Sequence, residues 1–257
     1  MSENEYQEKV DKYTKELPTL FTRFKEKSPD WDINHPSSDF VSDGIVREEK
    51  DLKLWFQQEY RPLFLLREAY GEENSVQEWD ITAYIRSVVD GERKDRPSPT
   101  WRNVARWAYG ILKMSDDGEF PAFPESSIIT TKSDNHPLKQ IAVVNIKKVN
   151  GKKTSKTNDL LRYAKATAAE IWKEIELIDP TVIISANDPS IQDELAKKNG
   201  FEINRQDKTS HLTINEHDVI LIEYFHPADL RHSDLMNYCN SNFAGENSQR
   251  PLKIKAL

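Results

Sequence analysis

Three apolar runs in this chain end abruptly in polar residues that can do chemistry: 63–74 (LFLLREAYGEEN), 141–155 (IAVVNIKKVNGKKTS) and 219–230 (VILIEYFHPADL). A continuous apolar run of this length suits a strand buried on both faces, as in a parallel sheet. In open parallel sheets, ligands bind just beyond the carboxyl ends of the strands. As parallel neighbours, these strands put Glu68, Asn145 and His226 on one rim, which brings a carboxylate, an amide and an imidazole to a single site.

Composition narrows the class. The 257 residues, 37% hydrophobic, suffice for one large α/β domain. No run reaches the roughly 18 apolar residues of a membrane helix. The first residues (MSENEYQEKVDKYTKEL) are charged throughout and lack an apolar signal-peptide core, so the expected compartment is the cytoplasm and no membrane partner is expected. One cysteine, Cys239, excludes an intrachain disulfide and a cysteine-based metal cluster. The net charge of -7 argues against a generally basic nucleic-acid binder and leaves any such role to a local patch. Oligomeric state is not legible.

The pattern along the chain predicts a helical N-terminal extension over 1–58. Its first helix, at 3–28, has Pro18 as a break or new start, and a Pro/Ser/Asp-rich loop follows at 29–46. The first strand is expected at 62–67. A helical insertion, 75–138, then carries helices at 78–89 and 100–114 and a loop over 115–138. Next come a strand at 140–147, a helix at 156–178 stopped by Pro180, a strand at 181–186 and a helix at 189–198 ended by Gly200. Short alternating runs at 201–205 and 211–217 suit edge strands, a strand follows at 218–225, and a last helix at 232–243. The fold class is therefore α/β, a three-layer sandwich with a central, mostly parallel, four-stranded sheet, all in one domain.

Each rim residue has a plain and a chemical reading. Glu68 is either a strand-end carboxylate paired with Arg67 or a lysine, or a group that orients water or stabilises positive charge. Asn145 is either a satisfied core amide or a reader of a nucleobase edge, since an amide offers both a donor and an acceptor. Lys147, Lys148, Lys152, Lys153 and Lys156 crowd around Gly151. They form either a solvated turn or, with Ser155, a grip on a nucleic-acid backbone. His226, fixed in an extended backbone by Pro227, is placed to donate to an oxygen that gains charge as a bond breaks. The other histidines (His35, His136, His211, His217, His232) show no metal-like spacing and read as surface or loop residues. No phosphate-cradling glycine loop and no GxSxG elbow is present, which removes the common nucleotide-hydrolase, dehydrogenase and esterase readings.

In order, these segments resemble the motifs of the uracil-DNA glycosylase superfamily. REAYG (Arg67–Gly71) is similar to that family's GEAPG form, with Glu68 and Ala69 in register. IAVVNIKKV puts Asn145 where the family's base-reading Asn lies, and HPADL puts His226 at its catalytic His. The resemblance spans roughly residues 60–240. It implies a four-stranded parallel sheet between helices, a DNA partner, a base flipped out of the stack, and hydrolysis of its N-glycosidic bond without metal or redox cofactor. On that reading Asn145 reads the base, His226 stabilises the departing base, and Glu68 stabilises the sugar cation or positions water. Lys147, Lys148, Lys152, Lys153, Ser155 and Arg231 hold flanking phosphates. Arg67 and Tyr70 stand where the family has Gly and Pro, and Ala69 stands where the GQDPYH form has its Asp. Arg67 and Tyr70 then shape the base pocket, with Tyr70 the stacking aromatic. The substrate implied is a damaged or modified base, such as a bulky modified pyrimidine of phage DNA, with a defence role. A non-catalytic nucleic-acid- or protein-binding module of the same fold, an unrelated α/β hydrolase, and an interaction protein remain open alternatives.

Overall fold

The computed structural model describes residues 2–29, 40–70, 78–92, 98–114, 121, 133–151, 155–203 and 209–228, with residues 70 and 209 described by backbone alone. Gly71, Lys152, Lys153, Arg231, the Tyr70 side chain and the helix expected at 232–243 lie outside the described residues.

The apolar runs are strands for the reason their composition suggests: both faces are covered. In β3 (Pro62–Tyr70), Leu63 and Leu65 enter one core and Phe64 and Leu66 the other. In β5 (Ala142–Gly151), Ala142, Val144 and Ile146 share a core with Leu63, while Val143 packs with Phe64. Each fully buried Val, Leu, Ile or Phe among them contributes about 1.5–3 kcal/mol. β6 (Val182–Ser185) and β8 (His217–Glu223) complete a parallel set ordered β5-β3-β6-β8.

The sheet nonetheless has six strands rather than the four expected. β2 (Gly44–Ile45) pairs antiparallel with β5 at one edge, and β7 (Thr209–Ile214) pairs antiparallel with β8 at the other. β2 is too short to show a period and lies in the stretch expected to be loop. The β7–β8 hairpin turns through Asn215 and Glu216, both at positive φ (46° and 69°), as a two-residue hairpin turn requires. Of the edge strand expected at 201–205, residues 201–203 are irregular and 204–205 lie outside the described residues. β1 (Val41–Ser42) and β4 (Trp79–Asp80) make a separate parallel pair.

One face of the sheet carries α3 (Ile81–Val89) and α4 (Pro99–Leu112). The other carries α1 (Glu3–Lys27), α2 (Leu52–Phe56), α5 (Thr157–Ile178) and α6 (Pro189–Asn199). The connection from β3 to β5 runs over the first face, whereas those from β5 to β6 and from β6 to β8 run over the second. Because the strand order reverses at β3, this arrangement suits right-handed crossovers throughout. The reversal makes β3/β6 the switch point of the sheet, where α/β folds open a ligand crevice at the strand carboxyl ends.

Pro18 does not break the first helix, which continues through it. An interior proline costs about 3 kcal/mol, which burial of Tyr13, Leu20 and Phe24 against the sheet offsets. No described helix is long and apolar enough to cross a membrane.

Candidate functional site

Asn145 lies on β5 beside Leu66 of β3 and is fully buried. β2 covers the outer edge of β5 only at Ala142 and Val143, and Phe40 bridges it again at Val149. In the gap, the carboxylate of Asp43 replaces a strand. Its Oδ2 accepts from the Asn145 backbone N–H at 2.7 Å and from Asn145 Nδ2 at 3.1 Å. Gly44, at φ 130°, permits this turn, and a side chain there would collide with the Tyr13 hydroxyl. Asn145 Oδ1 is buried and accepts no hydrogen bond from the described residues.

The other oxygen of Asp43 accepts from the Lys148 ammonium, which also meets Glu174 Oε2 at 2.7 Å and lies 4.7 Å from the centre of the Phe24 ring. All three charged side chains are buried. Burial alone would lower the Lys148 pKa, but Asp43 and Glu174 outweigh it and hold it above the ordinary value. Burial, with the nearby charge of Asp43, pushes the Glu174 carboxyl well up despite Lys148. Lys148, expected on a DNA backbone, is therefore a core ion-pair residue.

Lys147 is likewise turned inward. Its Nζ lies 2.8 Å from Asp159 Oδ2, in the first turn of α5, and 3.4 Å from Glu68 Oε2. Burial would lower its pKa, but the bond to Asp159 and the charge of Glu68 outweigh it and raise it. Of the described members of the lysine cluster, Lys156 alone is exposed, and Ser155 beside it is half-buried. The sequence suggests a turn here, but β5 continues through Lys147 and Lys148 to Gly151.

Glu68 thus satisfies its plain reading, a strand-end carboxylate paired with a lysine. It packs so closely on Gly151 that a side chain at 151 would strike its carboxyl group. The pairing of β3 with β5 slips between Glu68 and Tyr70, and Ala69 joins the core of Phe64 and Leu66. Arg67 is half-buried and donates from Nε to the Ala186 carbonyl at 3.1 Å, tying β3 to the end of β6 across the switch point.

Asn187, just beyond β6, donates from Nδ2 to the Leu65 carbonyl at 2.9 Å, while its own Oδ1 is buried with no donor among the described residues. His226 follows β8. Its Nδ1 accepts from the Ala228 N–H at 3.2 Å, which leaves the proton of a neutral ring on Nε2. Asn103 of α4 donates to the buried Pro227 carbonyl at 2.7 Å and so clamps the His-Pro turn.

The register aligns Leu65, Ser185 and Glu223 across neighbouring strands, so Glu68 and His226 each stand three residues further on. Two strand spacings separate their backbones, about 10 Å. Asn145 lies lower, level with Leu66. Glu68, Arg67, Asn187 and His226 therefore share the carboxyl-end rim, with Asn145 beneath it.

Sequence reasoning missed Asp43, Asn103, Glu174 and Asn187. The Asn-Asp-Pro stretch at 187–189 was a readable turn signal, and Asn103 was a polar residue on an otherwise apolar helix face. Two histidines read as surface or loop residues have structural roles instead. His136 is buried and caps a 3-10 turn through Nδ1, and His217 Nε2 lies 3.1 Å from the Pro180 carbonyl. Among the described residues, no group of His, Cys, Asp and Glu side chains could hold a metal ion. A cleft of about 520 Å³ lined by Tyr60, Tyr109, Lys113 and His136 lies at the opposite, amino-terminal end of the strands.

No known protein family matches the chain, and no curated protein matches it either.

Proposed function

We propose that the protein is a DNA glycosylase that hydrolyses the N-glycosidic bond of a flipped, damaged or modified base and leaves an abasic site. The observation that carries this reading is the buried amide of Asn145 below the carboxyl-end rim, with a carbonyl oxygen that accepts no hydrogen bond from the described residues. A buried acceptor left unmade costs about 1–3 kcal/mol, and a base edge that meets it recovers that cost. Asn145 has no exposed surface, so a base reaches it only when the rim opens.

In this mechanism the flipped base is read by Asn145. His226, with its Nε2 proton, donates to the oxygen of the departing base as negative charge develops there. Glu68 faces the sugar, where its carboxylate stabilises the oxocarbenium-like charge or holds the attacking water. Arg67 and Tyr70 shape the pocket wall. Ser155 and Lys156 at the start of α5, with Lys152, Lys153 and Arg231, supply the phosphate contacts.

A second reading has a specific observation behind it. Glu68 is engaged by Lys147 and packed on Gly151, which suits a module of this fold that binds without cleaving. His226→Ala and Glu68→Ala separate the two. An enzyme loses base release in both variants while its melting transition persists, whereas a binding module releases no base before or after substitution.

A further inference from the structure

Resting on the base-reading role of Asn145, a more specific inference follows from what faces that side chain. Asp43 meets Asn145 only as an acceptor. Oδ2 takes both the backbone and side-chain N–H groups of Asn145, and Oδ1 takes the Lys148 ammonium. A carboxylate has no proton to give. With the Asn145 amide turned over, its carbonyl would face the Asp43 oxygen across about 3 Å inside the core, a repulsion with nothing to relieve it. The backbone bond at 2.7 Å holds Asp43 in place whichever way the amide turns, so the amide has one stable orientation: nitrogen toward Asp43 and oxygen away from it.

We propose that Asp43 is a positioning residue that sets specificity. It fixes the polarity of the Asn145 amide, so that Oδ1 is the atom presented to the base. The site then selects a pyrimidine with an N–H at the facing edge, either a ring imino group or an exocyclic amino group, and rejects one alkylated there. An amide free to turn would accept either polarity. Held by an ion pair two residues deep, this one reads one polarity only.

The test uses the full-length protein and four free bases as probes: uracil, 3-methyluracil, cytosine and N4,N4-dimethylcytosine. Binding is followed through the amide resonances of Asn145. In wild-type protein each alkylated base is expected to bind about tenfold or more weakly than its parent, the loss of one buried hydrogen bond. Asp43→Ala removes the acceptor, leaves Lys148 paired with Glu174 and frees the Asn145 amide to turn; its discrimination is expected to fall to about twofold. A folded Asp43→Ala variant that discriminates as wild type does would overturn the lock while leaving base reading intact. If no base perturbs Asn145 in wild-type protein, base reading itself falls, and the lock with it. A measurement without any variant guards against misfolding. Scalar coupling across the hydrogen bond from Asn145 Nδ2 to the Asp43 carboxylate is expected in wild-type protein, and its absence overturns the proposal.

Discussion

Asp43, Lys148 and Glu174 form a buried group of two carboxyl side chains and one ammonium beneath Asn145. Removing the cation strands Asp43 in the core, so Lys148→Met is expected to cost about 3–5 kcal/mol in chemical denaturation. Glu174→Gln keeps the Asp43–Lys148 pair and is expected to cost far less; equal losses would refute this division of roles. The two ends of the sheet also respond to pH with opposite sign. The raised Glu174 pKa means that the fold binds more protons than the unfolded chain above the ordinary value of 4.5. This contribution therefore falls as pH rises through that window. At the amino-terminal end, burial alone would raise the Asp179 pKa. Arg61, aided by Lys9 and Asn215, outweighs it and holds the carboxyl below its ordinary 3.8. Its contribution is present above the unfolded value and is lost as pH falls through the folded one. Asp179→Asn, which also tolerates the left-handed backbone at φ 56°, should flatten the acid limb of the stability curve. Glu174→Gln should flatten the slope above pH 4.5. Urea unfolding across pH checks both. At this scale Asn145 was legible because an amide interrupted an apolar strand. Its partner was not, since Asp43 lies 102 residues away in a polar stretch with no period.

Among the elements, the lysine-rich segment shows what adjacency in sequence conceals. β5 runs through both lysines to Gly151, and each finds its own partners: Lys147 reaches Glu68, and Asp159 in the first turn of α5, while Lys148 reaches Asp43, and Glu174 towards the end of the same helix. A turn would give the block a shared outward face, whereas a strand packed beside α5 turns both ammonium groups to carboxyl groups of the fold. The His-Pro turn was legible in position but not in support: Asn103 reaches it from a helix 124 residues away in sequence. Asn103→Ala is expected to lower stability by about 1 kcal/mol, the worth of one hydrogen bond. On the glycosylase reading, it should also reduce base release by more than the folded fraction falls. A loss of release that merely tracks unfolding would give Asn103 a structural role only. Gly151→Ala tests the opposite edge of the rim. The added methyl must displace Glu68 or the strand, an overpacking cost of about 1–3 kcal/mol, read as a lower melting temperature. An unchanged melt would show that Glu68 is not held there.

For the whole molecule, the four parallel strands and their two helical layers followed from run lengths and helix-period stretches, because burial on both faces leaves a strong mark in sequence. The antiparallel edges left little. β2 is two residues long, and β7 is specified by its hairpin partner as much as by its own pattern. The N-terminal helix, expected as an extension, is part of the core: Tyr13 bonds the Ile45 N–H at 2.9 Å, and Phe24 borders the ammonium of Lys148. The rim at the switch point draws on single residues, on strand ends and on the order of the sheet, and on the glycosylase reading it releases a base from DNA. The most direct measurement incubates purified protein with DNA carrying modified pyrimidines, and with ordinary DNA, and counts alkali-labile sites. The glycosylase reading predicts such sites in the modified DNA and their loss in His226→Ala. Binding to the modified DNA with no alkali-labile sites would contradict it and leave a binding module of the same fold.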